Sequence, residues 1–167
     1  MASKSIDFSI FRHNVKSTET EEIATFSIGG RWFGLETMEV KSAIVAGNLA
    51  SIPRAPEYIL GTIFHHGESV LVVDLAPLLG LPSPPRQPNQ PMQLVLLNTG
   101  MDEGMVGFLV DILGEIPIVT HDKIQPVKGM MEQTGMVRAV VKTPDNMLTL
   151  LDSQSMTEMI GIHHVTA

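Results

Sequence analysis

The fold is decided by residues 52–75, IPRAPEYILGTIFHHGESVLVVDL, which hold two short apolar segments on either side of a polar turn. The second apolar segment spans residues 70–73. Apolar runs of this length, bounded by glycine and proline, are typical of buried strands, and a short turn between two of them is typical of a β-hairpin. The predicted tip carries His65, His66 and Glu68. What this tip contacts is therefore the functional question.

The composition and charge of the chain exclude several classes of function. The chain has 167 residues, of which 44% are hydrophobic and 17% charged, so it can bury a sizeable core. The net charge of −7 argues against a nucleic-acid-binding protein, which would carry a basic stripe, and against attachment to an anionic membrane surface. Because there is no cysteine, disulfides, thiolate metal sites and cysteine nucleophiles are excluded.

The sequence predicts a soluble protein located in the cytoplasm. No segment reaches the roughly 18–20 apolar residues that a membrane-spanning helix needs, so direct membrane insertion is not expected. The first twenty residues, MASKSIDFSIFRHNVKSTET, contain no continuous apolar stretch of the kind found in secretory signals.

Strand-like segments with turn signals about every ten residues predict a mainly β architecture of small barrels rather than helical layers. The segment from 36 to 44 fits either a loose helix or a bent strand. The expected parts of the chain are a flexible N-terminal arm at 1–20, a first barrel at about 21–80, a proline-rich connector at 81–91, a second barrel at about 92–151 and a C-terminal helix at about 152–160.

The two halves resemble each other weakly. Gly61 precedes Asp74 by thirteen residues, and Ala139 precedes Asp152 by thirteen. Each aspartate ends an apolar strand and comes directly before a short helical segment, so we interpret both as helix N-caps rather than as catalytic carboxylates. Alternation along the same strands predicts side chains that point into the two barrel cores, and these are Leu71, Val73, Leu148 and Leu150.

Several motifs in a fixed order resemble the CheW-like domain family, whose members are bacterial chemosensory coupling proteins. The hairpin entry reads FSIGGRWFG, the central motif reads GTIFHHGESVLVVDL after a P-x-x-P lead-in, and the second half contains VGFLVDILGE. The resemblance covers nearly the whole chain, from Glu21 to Ile160.

The resemblance implies two five-stranded SH3-like β-barrels packed around a shared hydrophobic seam, with short helices. It also implies a non-enzymatic scaffold, without cofactors, that couples chemoreceptors to a CheA-type histidine kinase in chemotaxis or pilus motility. The implied partners are the regulatory domain of the kinase and the cytoplasmic tip of the receptor. The receptor groove is expected at Thr37, Val40, Ser42, Ile44, Val106 and Phe108.

The chain departs from the family at two polar positions. The family typically reads N-L-R-G at the central turn, where this chain has Phe64, His65, His66 and Gly67. His66 thus replaces an arginine, which is always charged, with a side chain that is mostly neutral at pH 7. The family's glutamate two residues after the valine at position 40 is Ser42 here. This altered turn predicts a divergent or accessory coupling protein.

A different class of function stays open on the same residues. His65, His66 and Glu68 are ligand types that a metal-dependent hydrolase uses. Adjacent side chains on a strand point to opposite faces, however, and no third protein ligand is evident beside the histidines. A solvated hairpin tip or a protein contact is therefore favoured over a metal site.

Overall fold

The computed structural model describes residues 5–7, 19–83, 90–98, 104–127 and 135–161. Most of the expected N-terminal arm and residues 84–89 of the proline-rich connector lie outside these ranges. The described strands are Ser5–Asp7 (β1), Thr20–Ile28 (β2), Arg31–Glu36 (β3), Val40–Ala46 (β4), Ile59–His65 (β5), Glu68–Val73 (β6), Met92–Leu97 (β7), Met105–Val110 (β8), Ile112–Leu113 (β9), Ile118–Thr120 (β10), Ile124–Pro126 (β11), Val137–Lys142 (β12) and Met147–Leu151 (β13).

The helical elements are short. Ala76–Leu79 forms α1 and Ser153–Ile160 forms α2, while Thr37–Glu39 and His121–Lys123 are single 3-10 turns. The segment from 36 to 44, for which helix and bent strand were both possible, is therefore a 3-10 turn followed by strand β4. Neither α-helix, nor any other helix in the described ranges, is long and apolar enough to cross a membrane.

The strands form two sheets. The first sheet has the order β1-β4-β7-β8-β6-β5, and the second has the order β10-β2-β3-β13-β12-β11, with β9 paired to β2. Neighbouring strands are antiparallel except for β6 with β8 and β3 with β13, which are parallel. The predicted mainly β architecture is confirmed.

The proline-rich connector does not divide the strands between the two sheets, contrary to the expected barrels at 21–80 and 92–151. The first sheet combines β4, β5 and β6 with β7 and β8 from beyond the connector, and the second combines β2 and β3 with β11, β12 and β13. Each half contributes its leading hairpin to the sheet of the other half. The parallel pairs make this exchange, because β8 pairs with β6 and β3 with β13.

The weak internal repeat has a packing basis in these parallel pairs. Gly34 lies opposite Leu150, and Gly107 lies opposite Val72. A Cβ atom on Gly34 would lie 2.4 Å from Cγ2 of Ile23, and one on Gly107 would lie 2.6 Å from a leucine side chain of β7. Because a larger residue would collide at either place, glycine recurs at the same point of both halves.

Of the two aspartates predicted to be helix N-caps, Asp152 caps α2, whereas the N-cap of α1 is Leu75 and Asp74 lies one residue before it. Oδ1 of Asp152 accepts a hydrogen bond from the backbone N of Gln154 at 3.0 Å and caps α2. Oδ1 of Asp74 accepts one from the backbone N of Ala76 at 3.1 Å, at the start of α1. Both carboxylates therefore satisfy amides that the first helical turn leaves without an intrahelical partner.

A central apolar cluster lies between the sheets, and each sheet also has a cluster of its own. In the central cluster the ring of Phe26 lies 5.0 Å from that of Phe108. Leu71 and Val73 were predicted to enter a barrel core, but they belong to the central cluster. Leu148 and Leu150 do lie in the cluster of the second sheet. Strand β6 is buried on both faces, so alternation could not say which face meets which core.

The ends of the first sheet approach each other beyond β4. The backbone N of Ala50 donates to the carbonyl O of Thr62 at 2.9 Å, and the N of Thr62 donates to the O of Ala50 at 2.8 Å. Gly61 stands beside this bridge with φ +146°, and a Cβ atom there would lie 2.2 Å from the carbonyl oxygen of Ala50. The close approach of the two chain segments therefore requires glycine at position 61.

Candidate partner-binding site

The expected receptor groove is not a surface. The exposed fractions are 3% for Thr37, 0% for Val40, 2% for Ile44, 1% for Val106 and 0% for Phe108. Val40, Val106 and Phe108 belong to the central cluster, and Ile44 belongs to the cluster of the first sheet. Of the six residues, only Ser42 is half-buried. These side chains belong to the core, so the groove that the resemblance implied does not lie at these positions.

The altered turn is exposed and well formed. Strands β5 and β6 pair through His65 opposite Glu68, which leaves His66 and Gly67 as a two-residue loop. Their φ angles are +52° and +78°, and two consecutive positive φ values are characteristic of a type I′ turn. Phe64 precedes the loop with 83% of its side chain exposed. All four predicted turn residues therefore lie together at one hairpin tip.

The tip is linked to strand β4. Nζ of Lys41 lies 3.8 Å from Oε2 of Glu68, and the rings of His65 and His66 are 4.0 Å apart. Burial lowers the pKa of His65 below its ordinary value, and the charges on His66 and Lys41 lower it further. The charge of Glu68 acts in the opposite direction, but the net shift favours the neutral form of His65. Because both members of the ion pair are exposed, the pair contributes little to stability.

The ion pair reverses the charge polarity expected from the family. The resemblance places an acid at position 42 of β4 and a base at position 66 of the turn, and this chain has Ser42 and His66 there. Here the base is Lys41 on β4 and the acid is Glu68 beside the turn. Sequence reasoning missed this pair, although each member lies within two residues of an altered position.

The geometry does not assemble a metal site at the tip. In the part of the chain that the structure describes, no group of three or more histidine, aspartate or glutamate side chains lies close enough to hold a metal ion. His65, His66 and Glu68 are thus not brought together as a ligand set, and the rings of His65 and His66 contact each other at an interplanar angle of 39°.

A second polar cluster, on the second sheet, was not predicted. Nη2 of Arg138 donates to Oε2 of Glu21 at 2.8 Å and lies 3.7 Å from Oε1 of Glu36, while Nε2 of His121 lies 3.4 Å from Oε1 of Glu21. Oε2 of Glu39 accepts a hydrogen bond from the backbone N of Glu36 at 3.2 Å. Residues distant in sequence meet here, so no local motif could have indicated the cluster.

The two carboxyls of the cluster have opposite pKa shifts. Burial raises the pKa of Glu36 to about 7, and the hydrogen bond and charge of Glu21 contribute to the rise. Burial also acts to raise the pKa of Glu21, but hydrogen bonds from Arg138 and Glu36, with the charges of Arg138 and His121, hold it below its ordinary value. Glu36 is thus the member of the pair that keeps its proton longer as the pH rises.

Stability is expected to fall as the pH rises through about 7. The ordinary pKa of Glu36 is 4.5 and its folded value is about 7, so the folded state binds this proton more tightly than the unfolded state. The favourable contribution is complete below the ordinary value and is lost above the folded value. Glu36→Gln keeps an oxygen that accepts the amide hydrogen of Glu39, and it should flatten this decline.

The measurement is the free energy of unfolding by urea at about pH 5 and about pH 8, on either side of the expected transition. Glu57→Gln, which removes an exposed carboxyl, is the matched control and should retain the wild-type decline. An equal decline in Glu36→Gln and wild type would show that another group causes it.

The chain is similar to known proteins over most of its length. The profile of the CheW-like domain family matches residues 22–160. The chain is 26% identical over 137 residues to a probable chemotaxis protein CheW of Rhizobium etli, covering 81% of this chain and 86% of that protein. It is 25% identical over 136 residues to the chemotaxis protein CheW of Rhizobium meliloti, covering 80% and 85%.

The fold is also found among solved structures. The scaffolding protein TtCheW of Thermoanaerobacter tengcongensis superimposes with a TM-score of 0.70 at 23% identity, covering 79% of this chain and 88% of that one. At this identity the likeness shows the fold alone. It confirms the predicted mainly β class and the CheW fold, while the two sheets have, in the part of the chain that the structure describes, six and seven strands rather than the five expected in each barrel.

Proposed function

The chain belongs to the CheW-like domain family, and on that premise we propose that it is a non-enzymatic scaffold in the cytoplasm. In this proposal it couples chemoreceptors to a CheA-type histidine kinase, in chemotaxis or in pilus motility, as a divergent or accessory coupling protein. Two relatives that cover most of the chain are named as chemotaxis proteins, which supports the signalling role.

The observation that carries the proposal is the exposed aromatic ring at the altered turn. Phe64 exposes 83% of its side chain on a hairpin held by a type I′ turn. A large aromatic side chain on a rigid tip loses little conformational freedom on binding, and such residues dominate the energetics of protein interfaces. The tip therefore suits contact with a folded protein, and we assign it to the regulatory domain of the kinase.

We assign the receptor contact to exposed side chains in the segment that was expected to form the groove. Met38 is 65% exposed in the 3-10 turn before β4, and Lys41 is exposed on β4 itself. Ser42 is half-buried beside them in sequence. An adaptable methionine next to a charged residue fits the surface of a receptor helix, because methionine adjusts to irregular apolar partners.

The reversed charge polarity makes the turn a specificity device. A kinase surface that complements a base at the turn meets a like charge in this chain, because the exposed side chain beside the turn is the acid Glu68. Repulsion of this kind discriminates between partners as effectively as new attraction does. The native partner is then a kinase whose docking surface is basic opposite Glu68 and has an apolar pocket for Phe64.

Phe64→Ser tests the assignment of the tip. Loss of an aromatic anchor at an interface commonly costs about 2 kcal/mol or more, so the affinity for the native kinase regulatory domain should fall roughly thirtyfold. The affinity is measured by calorimetry with the regulatory domains of the organism's chemosensory kinases. The matched control is Met147→Ser, which removes an exposed apolar side chain at the start of β13. Equal affinities for the two variants would show that the tip is not part of the interface with the kinase.

Restoring the family turn tests the specificity. The triple substitution Phe64→Asn, His65→Leu and His66→Arg should strengthen binding to a standard kinase and weaken binding to the native partner. A buried charged contact commonly contributes about 2–5 kcal/mol when one partner is truncated. If the unaltered protein already binds a standard kinase as tightly as the triple variant does, the accessory role fails while the scaffold role stands.

A further inference from the structure

We propose that the outer edge of β4 is a strand-exchange site between two copies of this chain. In the exchanged form, Ser5–Asp7 of one copy pairs with residues 42–44 of the other, and the second copy reciprocates. The edge adjoins Lys41, which pairs with Glu68 at the hairpin tip, but the inference does not depend on the proposed function.

The outer edge of β4 is the side that faces away from β7. In the described ranges β4 pairs with β7 on its inner side and with the short strand β1 on its outer side. The register places Ser5 opposite Ile44, Ile6 opposite Ala43 and Asp7 opposite Ser42, all antiparallel. Without β1, the strand would present unpaired backbone N–H and C=O groups to solvent, which is the usual template for pairing with another chain. The edge therefore requires a strand, and β1 is the segment that fits it.

The attachment of β1 depends mostly on its backbone. The strand has 3 residues, and the described side chains of Ser5 and Ile6 are both exposed, Ile6 by 48%. A strand that buries so little apolar surface opens more readily than the core strands, because local opening follows the number of buried contacts. We therefore expect β1 to detach from β4 and to pair with it again without unfolding of the core strands.

The strand that we expect on this edge is β1 of a second copy, because β1 already pairs with the edge within one chain. Residues 8–18 connect β1 to Glu19, and a tether of this length can extend about 40 Å. The contacts in the exchanged pair are identical to those within one chain, so only the entropy of association separates the two forms. A linker of this length gives an effective concentration of about millimolar for pairing within one chain, so exchange competes when copies are held side by side at that concentration.

The chain has no cysteine, which allows a direct test by cross-linking. Opposite residues in an antiparallel pair have Cα atoms about 4.5–5.5 Å apart, within the range that a disulfide spans. Asp7→Cys and Ser42→Cys are made in separate full-length chains, mixed at increasing concentration up to about millimolar, and oxidised. The disulfide that joins positions 7 and 42 is then quantified by mass spectrometry of the covalent dimer.

We expect the 7–42 linkage to rise with concentration and to exceed, at least tenfold, the linkage in a control mixture of Asp7→Cys with Met147→Cys. Met147 is 53% exposed on the second sheet and reports random encounter. Ile6→Pro added to the Asp7→Cys chain removes a backbone donor from β1 and should abolish the linkage. Equal yields for positions 42 and 147 would overturn the proposal.

A chain that carries both Asp7→Cys and Ser42→Cys monitors the closed form. It should give a cross-linked monomer at micromolar concentration, with a far-ultraviolet circular dichroism spectrum equal to that of wild type. Failure of a folded double variant to close within one chain would show that the β1–β4 pairing is not populated, and it would also overturn the proposal.

Discussion

Val40→Glu is expected to unfold the protein. The side chain of Val40 is fully buried in the central cluster between the two sheets, where a carboxylate finds neither water nor a cation. An unpaired buried charge belongs to the few changes that cost about 4 kcal/mol or more, against a total stability of about 5–15 kcal/mol for a domain. The urea midpoint should fall below the measurable range, or the protein should become insoluble when expressed.

The neighbouring substitution Lys41→Gln is the control for Val40→Glu. Lys41 lies on the same strand and is 52% exposed, and its ion pair with Glu68 is exposed as well, so the urea midpoint should stay close to wild type. A Val40→Glu variant with a native midpoint would show that position 40 is accessible. The receptor groove predicted from the resemblance would then regain its support.

Gly61→Ala should have the second-largest effect. The added methyl group would lie 2.2 Å from the carbonyl oxygen of Ala50 and 2.9 Å from its carbonyl carbon, and φ is +146°. Because the colliding atoms are backbone, relief requires the Ala50–Thr62 bridge to move, which opens the contact between the ends of the first sheet. We expect a loss of about 3–5 kcal/mol, comparable with other severe core changes.

The measurement for Gly61→Ala is the urea midpoint together with amide hydrogen exchange at Ala50 and Thr62, whose amides are bonded in the bridge. The control is Gly47→Ala, since a Cβ atom at Gly47 meets nothing within 4 Å and its φ is not positive. If the two variants are equally stable and exchange protection at Thr62 is unchanged, the close approach at position 61 is not a constraint.

The sequence by itself determined the local features of this protein. Alternation and turn residues located the β5–β6 hairpin, its polar turn between His65 and Glu68, and the cap at Asp152. Each of these depends on residues a few positions apart, whose backbone preferences act whatever the rest of the chain does. The family resemblance, which depends on the order of such local motifs, identified the CheW-like fold for the same reason.

Only the tertiary structure decided which strands pair and which faces are covered. The parallel pairs β6–β8 and β3–β13 join residues from opposite halves, and no local preference specifies a parallel neighbour. Alternation gives a strand two faces but does not say what covers each, so Val40 and Phe108 could be placed in a groove although both lie in the core. The exposed ring of Phe64, the Lys41–Glu68 pair and the cover of β4 by β1 likewise follow from how distant segments meet.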